Sequence, residues 1–476
     1  MEGTDIDANE AKSKVKTGTK VIFQKMWPSF MSTTSHTLIY AWSGINIILL
    51  SNLLWPGEPY HASEMGFSYG VGIYTVALSS IVFGLLADRY SRIKLFTIID
   101  IVYGAGIIVL GFLPAGLGTP SYVYFLSCML ITYAFDTGQT IRVSYADDRA
   151  DESERSQFFG LSGLFWQLAW MIGGFISALV FKDYWRQYFW ISGAVTVASG
   201  LIISVKGVEP KRGAEKKELK SVLKLDGVEY KYHVNVETFK KTILAPTNII
   251  AFIEGFFTQI VYAIPVLITF AYFQSAPYNI SPFVMSIVTF LFGIPGAVVS
   301  ASVLAKLSDK WGKKAIKNRV YVIIFSLMAT YGALLGVFLI PAVPMSPEEG
   351  GNLAFFFSHP THWLIAIMIF AWQMTGGMYS SNQAPVLQKI NLPEAQGAMS
   401  SANQFLESLG HGTGAIVSGI LLSFLNNNYQ FTVLIMVLIG FVGSSSWFLT
   451  LKWINADVGR VSGILQQRAK EMETKR

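Results

Sequence analysis

Apolar residues in this chain come in long unbroken runs, without the alternation of half-buried strands or the one-sided spacing of surface helices. Runs of about 20 residues or more, each enough for one helix to cross a ~30 Å hydrocarbon layer, recur from end to end. They lie at roughly 30–54, 65–86, 95–114, 121–145, 159–182, 187–206, 249–274, 282–304, 319–341, 362–384, 398–425 and 430–452. In lipid each backbone N–H and C=O must be satisfied within the chain, so every run predicts a helix. Six spans precede a hydrophilic stretch, Gly207–Asn248, and six follow it. The predicted architecture is an all-α membrane protein of twelve transmembrane helices in two pseudo-symmetric six-helix bundles. Its expected parts are a tail (1–29), a first bundle (30–206), a central loop (207–248), a second bundle (249–452) and a C-terminal tail (453–476).

Composition removes the alternatives. Hydrophobic residues make up 52% and charged residues 14%, where soluble domains carry about 25% charge. A soluble enzyme, a secreted disulfide scaffold and a disordered chain are excluded. The single cysteine, Cys128, lies in an apolar run, so neither an intramolecular disulfide nor a thiolate metal site is expected. The net charge of +6 is explained by where the cations fall. With the N-terminus inside, 34 of the 36 Lys and Arg residues lie on the cytoplasmic side, and only Lys182 and Arg186 lie outside. Both termini and the central loop are therefore expected in the cytoplasm, and no nucleic-acid partner is expected. Met1–Lys20 is polar and Lys-rich with no apolar core, so no cleaved signal is expected. Lys211, Arg212, Lys216, Lys217 and Lys220 suit a tether against anionic headgroups; the alternating run Val228–Val236 admits a small folded element instead. Gly459–Arg476 reads as a short amphipathic surface helix.

One motif occurs twice. The second span ends in Gly84-Leu-Leu-Ala-Asp88-Arg89-Tyr-Ser-Arg92-Ile-Lys94, and the eighth in Ala305-Lys-Leu-Ser-Asp309-Lys310-Trp-Gly312-Lys313-Lys314. Each follows the second helix of its half. Glu154-Arg-Ser-Gln157 before the fifth span similarly resembles Pro393-Glu394-Ala-Gln396-Gly397 before the eleventh. Two landmarks in matching places indicate internal duplication. A small residue permits close helix approach, a carboxylate can cap a helix or pair with a cation, and the basic residues meet headgroups.

On these residues the chain resembles the major facilitator superfamily, from the first span to the twelfth. The resemblance implies alternating access by two rocking bundles, no ATP site, no cofactor and a monomer. It also implies a cytoplasmic gate containing Gly84, Asp88, Arg89 and Arg92, with Asp147 or Asp148 at the end of the fourth span as partner. Asp309 and Lys310 form the degenerate second copy, where Ala305 replaces glycine. Asn391-Leu-Pro-Glu-Ala-Gln-Gly397, Ser400-Ser-Ala-Asn and Gly410-His-Gly-Thr-Gly414 resemble the spinster-like lipid transporters. The acid expected in the first span of that group is absent between Tyr40 and Leu53. Drug/proton antiporters usually carry a Gly-Pro-rich fifth span, and Ile172-Gly173-Gly174 has no nearby proline.

A charge at the centre of a membrane helix costs at least ~2.5 kcal/mol, so each one needs a reason. Asp136 is the strongest candidate for proton coupling, followed by Glu407 with His411 at i, i+4, and by Glu254. His36 reads as a satisfied polar residue and Asp100 as a structural partner near the gate. Arg142 can snorkel, pair with Asp147 or Asp148, or attract an anionic headgroup. Tyr40, Tyr133, Phe135, Gln139, Arg142, Tyr262, Trp372, Gln373 and Asn382 are the expected substrate contacts, since aromatics with a few amides suit an amphipathic molecule. The expected function is secondary active transport, proton-coupled, of a small amphipathic organic molecule such as a lysolipid or drug-like compound. A polar solute such as a sugar or organic anion is the alternative, and a lipid scramblase or non-transporting sensor is the alternative of another class. Protons and membrane lipids are the other expected partners. No enzymatic constellation is found. Asn279-Ile-Ser281 is a glycosylation sequon on the expected outer side.

Overall fold

The computed structural model describes residues 3–40, 42–87, 90–136, 141–142, 145–146, 149, 152–209, 244–392 and 395–474. Among these residues the chain is helical nearly throughout and contains no strand. Eight described helices are long and apolar enough to cross a membrane, or nine if the bent first span is counted as one.

The expected spans are present with informative departures. The first is a helix from Gly3 to Tyr40, which carries the polar tail into the apolar segment, followed by Trp42–Ile45 and Ile47–Leu54. Its last two pieces turn by 73°. Asn46 sits at the turn with φ −107° and ψ 24°, and its amide donates to Trp42 O (3.3 Å) and Ser177 Oγ (3.2 Å). A side chain that satisfies backbone at the break makes the bend tolerable within an apolar layer. The fifth and sixth spans form one helical run, Glu152–Lys206, interrupted only by non-helical Tyr184 (φ −131°, ψ 33°). The external loop expected there is reduced to that kink.

The sequence predicts an unbroken fourth span from 121 to 145. Instead its helix, Thr119–Ala134, stops at Phe135 (φ −109°, ψ 8°), and Asp136 is non-helical. The following Thr137 and Gly138 are poor helix formers. The seventh and eighth spans, Pro246–Gln274 and Pro282–Gly312, contain widened π-turns at Pro265–Thr269, Thr289–Gly293 and Ser300–Leu304. Pro265 and Pro295 offer no N–H and crowd the carbonyl four residues back, which a widened turn relieves. The ninth, tenth and eleventh spans are Ile316–Leu339, Pro360–Ile390 and Gln396–Phe424. The twelfth comprises Tyr429–Ser444 and Trp447–Thr474. The C-terminal tail is thus an extension of the last span through Thr474, where the sequence predicts a separate surface helix.

The chain divides into two compact units, one of Met1–Gly57 with Thr75–Lys231, the other of Glu58–Tyr74 with Tyr232–Arg476. The outer half of the second span therefore belongs with the second unit, although its place in the sequence lies within the first bundle. Glycine explains this: a Cβ on Gly66 would lie 2.5 Å from Ala415 O, and one on Gly70 would lie 2.5 Å from Gly412 O. Only bare backbone allows these helices to touch so closely. In the first unit the core gathers Ile22, Met26, Phe30, Phe96, Tyr145, Phe158 and Ile203. In the second, the buried face of Ile316–Leu339 (Val320, Ile323, Leu327, Tyr331, Leu334 and Val337) packs against Pro360–Ile390 and Tyr429–Ser444.

Candidate functional site

The first unit holds a chain of three ionisable side chains from three spans. His36 Nε2 lies 3.1 Å from Asp100 Oδ1, and His36 Nδ1 lies 3.2 Å from Asp136 Oδ1. Asp100 is fully buried. It also accepts from Ser32 Oγ (2.6 Å) and Ser199 Oγ (2.8 Å). The imidazole stacks on Tyr103 with ring centroids 4.0 Å apart. Close packing makes this possible. A Cβ on Gly104 would lie 2.6 Å from Gly193 O, and one on Gly193 would lie 2.6 Å from Gly104 O. A Cβ on Gly200 would sit 2.9 Å from the Asp100 side chain. The third and sixth spans thereby approach until Asp100 meets Ser199.

The geometry limits how both contacts can be hydrogen bonds at once. Neutral imidazole has one N–H and one bare nitrogen, yet both nitrogens face carboxyl oxygens. Two hydrogen bonds there require two protons: imidazolium between two carboxylates, or neutral imidazole with one protonated carboxyl. Asp100 has no solvent exposure, whereas the Asp136 side chain is 26% exposed. His36, expected only as a satisfied polar residue, is the link. Asp100, expected near the gate, is the inner anchor.

The second unit holds acids among hydroxyls and amides. Glu254 is fully buried and accepts from Thr258 Oγ1 (2.5 Å) and Tyr379 Oη (3.1 Å). Thr258, Tyr331 and Ser444 bond mutually at 2.6–3.0 Å. Glu407 Oε1 accepts from Gln383 Nε2 (3.1 Å) and Asn403 Nδ2 (2.7 Å). Gly410 lies against the Phe256 backbone, too close for any Cβ to fit. That contact draws the seventh and eleventh spans together beside both acids. No described Lys, Arg or His pairs with Glu254 or Glu407. The expected Glu407–His411 pair is not formed, because His411 turns toward Tyr69, its ring 5.8 Å away.

The other expected contacts distribute differently. Tyr40 and Tyr133 pack edge to face at 6.2 Å. Arg142 lies within electrostatic reach of Asp136, and its buried Nε has no hydrogen bond among the described residues. Phe135 packs against Phe83 at the edge of the hydrophobic core. Tyr262 Oη lies 2.9 Å from where a Cβ of Gly376 would stand, which places it against the tenth span. Trp372 is half-buried on that helix. Gln373 packs against Gly293 and Gly296 of the eighth span, so its aliphatic stem fills a helix contact. Asn382, expected to touch substrate, is fully buried and instead accepts from Ser308 Oγ and from Arg319 Nη1 (3.2 Å). Gln139, Asp88, Arg89, Asp147 and Asp148 lie outside the described residues.

Around the repeated motif the structure adds partners the sequence reading missed. Gly84 is in the last turn of Ala62–Ala87. Buried Arg92 donates to Glu209 Oε1 (3.2 Å). Glu209 also accepts from the backbone N–H of Arg92 (3.1 Å) and Ile93 (3.0 Å) and from Ser91 Oγ (2.5 Å). It thus caps the third span. Burial alone would raise the Glu209 pKa, but these donors, Ile93 N–H foremost, hold it below the usual carboxylate value. In the second copy Asp309 accepts from Arg319 Nη2 at 2.6 Å, while Lys310 is exposed. Arg319 lies just beyond the second copy, whereas Glu209 follows the end of the sixth span, far along the chain from the first copy, and only the demand for a counter-charge would have found either. The sequon residue Asn279 donates its amide to Met345 O (2.7 Å) and Pro277 O (3.4 Å), so the nitrogen a glycan would modify is already engaged.

Known proteins share this architecture. No curated protein matches the chain. A bacterial homologue of the human lysosomal transporter Spinster, inward-facing and unoccupied, superposes with TM-score 0.64 at 16% identity, covering 92% of this chain and 98% of its own. A D-xylose-proton symporter gives 0.64 at 13% identity, covering 90% and 97%. The nucleoside transporter NupG gives 0.57 at 13%, covering 90% and 99%. At these identities the likeness is one of fold. The sequence profile of the Major Facilitator Superfamily matches residues 34–415, and the chain is a multi-pass membrane protein that belongs to this family of secondary transporters.

Proposed function

We propose that this transporter is proton-coupled and moves a small amphipathic organic molecule, with the His36–Asp100–Asp136 chain as its coupling site. The observation that carries the reading is the His36 imidazole placed within hydrogen-bonding distance of two carboxyls. An imidazole held between two carboxyls carries one labile proton, and one of those carboxyls reaches partial exposure at a break in the fourth span. Broken helices at membrane depth are where transporters place binding groups. The Tyr40–Tyr133 pair supplies an aromatic surface, and Tyr133 is three residues before Asp136. Glu254 and Glu407 are assigned to the substrate or to a second proton. Alternating access would proceed by motion of the two units, with Arg92–Glu209 and Asp309–Arg319 among the contacts to be remade. The excess of Lys and Arg supports cytoplasmic termini.

The buried Nε of Arg142, which has no hydrogen bond among the described residues, favours a second reading, in which the substrate carries an acidic group or is itself a small organic anion. A thermal-stability screen at pH 5.5 and 7.5 against lysophospholipids, cationic drugs, sugars and organic anions separates these readings. A ligand at 100 times its dissociation constant stabilises by ~2.7 kcal/mol, which is readily seen. Stabilisation by an amphipath that depends on pH in the wild type and not in Asp136→Asn is expected. Stabilisation by sugars alone would remove the amphipath assignment. A pH response unchanged in Asp136→Asn would remove the coupling assignment.

A further inference from the structure

We propose that a groove between the eighth, ninth and tenth spans, opening at the Lys-rich turn of the repeated motif, binds one anionic glycerophospholipid. The groove encloses about 660 Å³, within the range of sites that hold small organic ligands. Its walls are graded. Leu304, Leu307, Val322, Phe325, Met374 and Met378 line the deep part, and Trp311, Lys314, Asn318 and Tyr321 line the end at the turn. From Leu304 to Trp311 on one helix, and from Asn318 to Phe325 on the other, the trough is about 10 Å long at 1.5 Å per residue. That suits part of an acyl chain with its headgroup at the turn.

Charge identifies the occupant. Between Ala305 and Arg319 the chain carries six cations, Lys306, Lys310, Lys313, Lys314, Lys317 and Arg319, and one acid, Asp309. Arg319 already holds that acid at 2.6 Å. Lys310, Lys313 and Lys314 are exposed and pair with no acid among the described residues. Trp311 and Tyr321 are 45% and 53% exposed, amphipathic rings of the kind that settle at headgroup depth. Phe325 is 64% exposed farther along the same face, as a lipid-facing side chain would be. An apolar trough ending in exposed lysines and interfacial aromatics matches a phosphate diester with a hydrocarbon tail, and it favours an anionic headgroup over a zwitterionic one. Asn318 donates to Trp311 O at 2.9 Å. The headgroup would therefore rest on the turn that also carries Asp309, and the lipid would brace the Asp309–Arg319 contact.

The test uses the full chain in neutral detergent, with retained lipid read by native mass spectrometry. Dioleoyl phosphatidylglycerol, dioleoyl phosphatidylcholine and inorganic phosphate are compared. Phosphatidylglycerol is expected to bind at least about tenfold more tightly than phosphatidylcholine, with about a fivefold loss per lysine in Lys313→Gln and Lys314→Gln. Leu304→Trp, which fills the trough and leaves every charge in place, is expected to reduce retention as well. Lys206→Gln, in the other unit, is the control for general charge and should leave retention unchanged. Equal retention of the two lipids would overturn the proposal. So would wild-type retention in both Lys314→Gln and Leu304→Trp, or a protein-stabilising effect of inorganic phosphate equal to that of the lipid.

Discussion

The two units solve the problem of charge inside an apolar layer in opposite ways. In the first, His36 stands between Asp100 and Asp136, so opposite charges or a shared proton cancel within one contact chain. In the second, Glu254 and Glu407 receive only hydroxyl and amide donors among the described residues. The first arrangement is self-sufficient, its two acids meeting a histidine within the same unit. The second lacks a cation among the described residues, and a charged acid there would need one from outside, a proton or a cationic group of the substrate. Duplication of the scaffold has left the motif turns recognisably alike while the buried chemistry diverged. Sequence symmetry in this fold marks the two turns and says little about the buried polar contacts of either half.

The largest expected effect follows from breaking the self-sufficient cluster. His36→Ala would leave buried Asp100 with only its two serine donors and remove the imidazole from partly exposed Asp136, a loss of up to about 3–5 kcal/mol when one member of a buried pair is removed. Thermal unfolding in detergent measures it. Glu254→Gln is the matched change in the second unit. It keeps an acceptor for one of Thr258 and Tyr379 and offers an N–H to the hydroxyl oxygen of the other, so it should cost about 1 kcal/mol or less. If Glu254→Gln proves as damaging as His36→Ala, the contrast between the units is wrong.

A smaller effect is expected at the motif turns. Arg319→Ala removes the partner of Asp309 and one of the donors to Asn382, while Ser308 remains. Asp309 is 60% exposed, so the pair itself is worth under about 1 kcal/mol, and the total should stay near 1 kcal/mol. Faster hydrogen exchange confined to residues 305–320 would accompany it; unchanged exchange there would show that the pair does not hold the turn.

The smallest effect is also the one with a defined pH dependence. Glu209 is held below the ordinary carboxylate value by its donors, so its contribution is present at neutral pH and fades as pH falls through the folded value. Because it is about one-third exposed, the contribution is under about 1 kcal/mol. Wild type should unfold at a slightly higher temperature than Glu209→Gln at pH 7, and the two should converge as pH falls through the lowered folded value. A constant offset at every pH would mean that the carboxylate's charge is not what caps the third span.

The spans and the repeated turn were legible because hydrocarbon thickness and positive charge leave strong marks on a sequence. Interruptions were less so. Pro265 and Pro295 were visible, but whether a proline kinks, widens or ends a helix depends on what packs against it. The halt at Phe135 gave no stronger signal than the Thr137-Gly138 pair. Asp136, Glu254 and Glu407 could be singled out one at a time, since each is expensive where it lies. Their partners could not, because helix rotation and close approach decide them: Gly104 against Gly193 brings Asp100 to Ser199, and nothing local announces that pairing. The same limit explains Asn382, whose position in the tenth span suggested the cavity and whose rotation gives it to Ser308 and Arg319.

Whether the first unit's His–Asp chain carries the coupled proton is tested most directly in proteoliposomes, with a substrate identified by the stability screen. Uptake driven by a pH gradient is compared with exchange at equal pH. Asp136→Asn should lose accumulation against the gradient, retain exchange at a rate comparable to wild type, and do so with the protein folded. Gradient-driven accumulation at the wild-type level in Asp136→Asn would contradict the assignment.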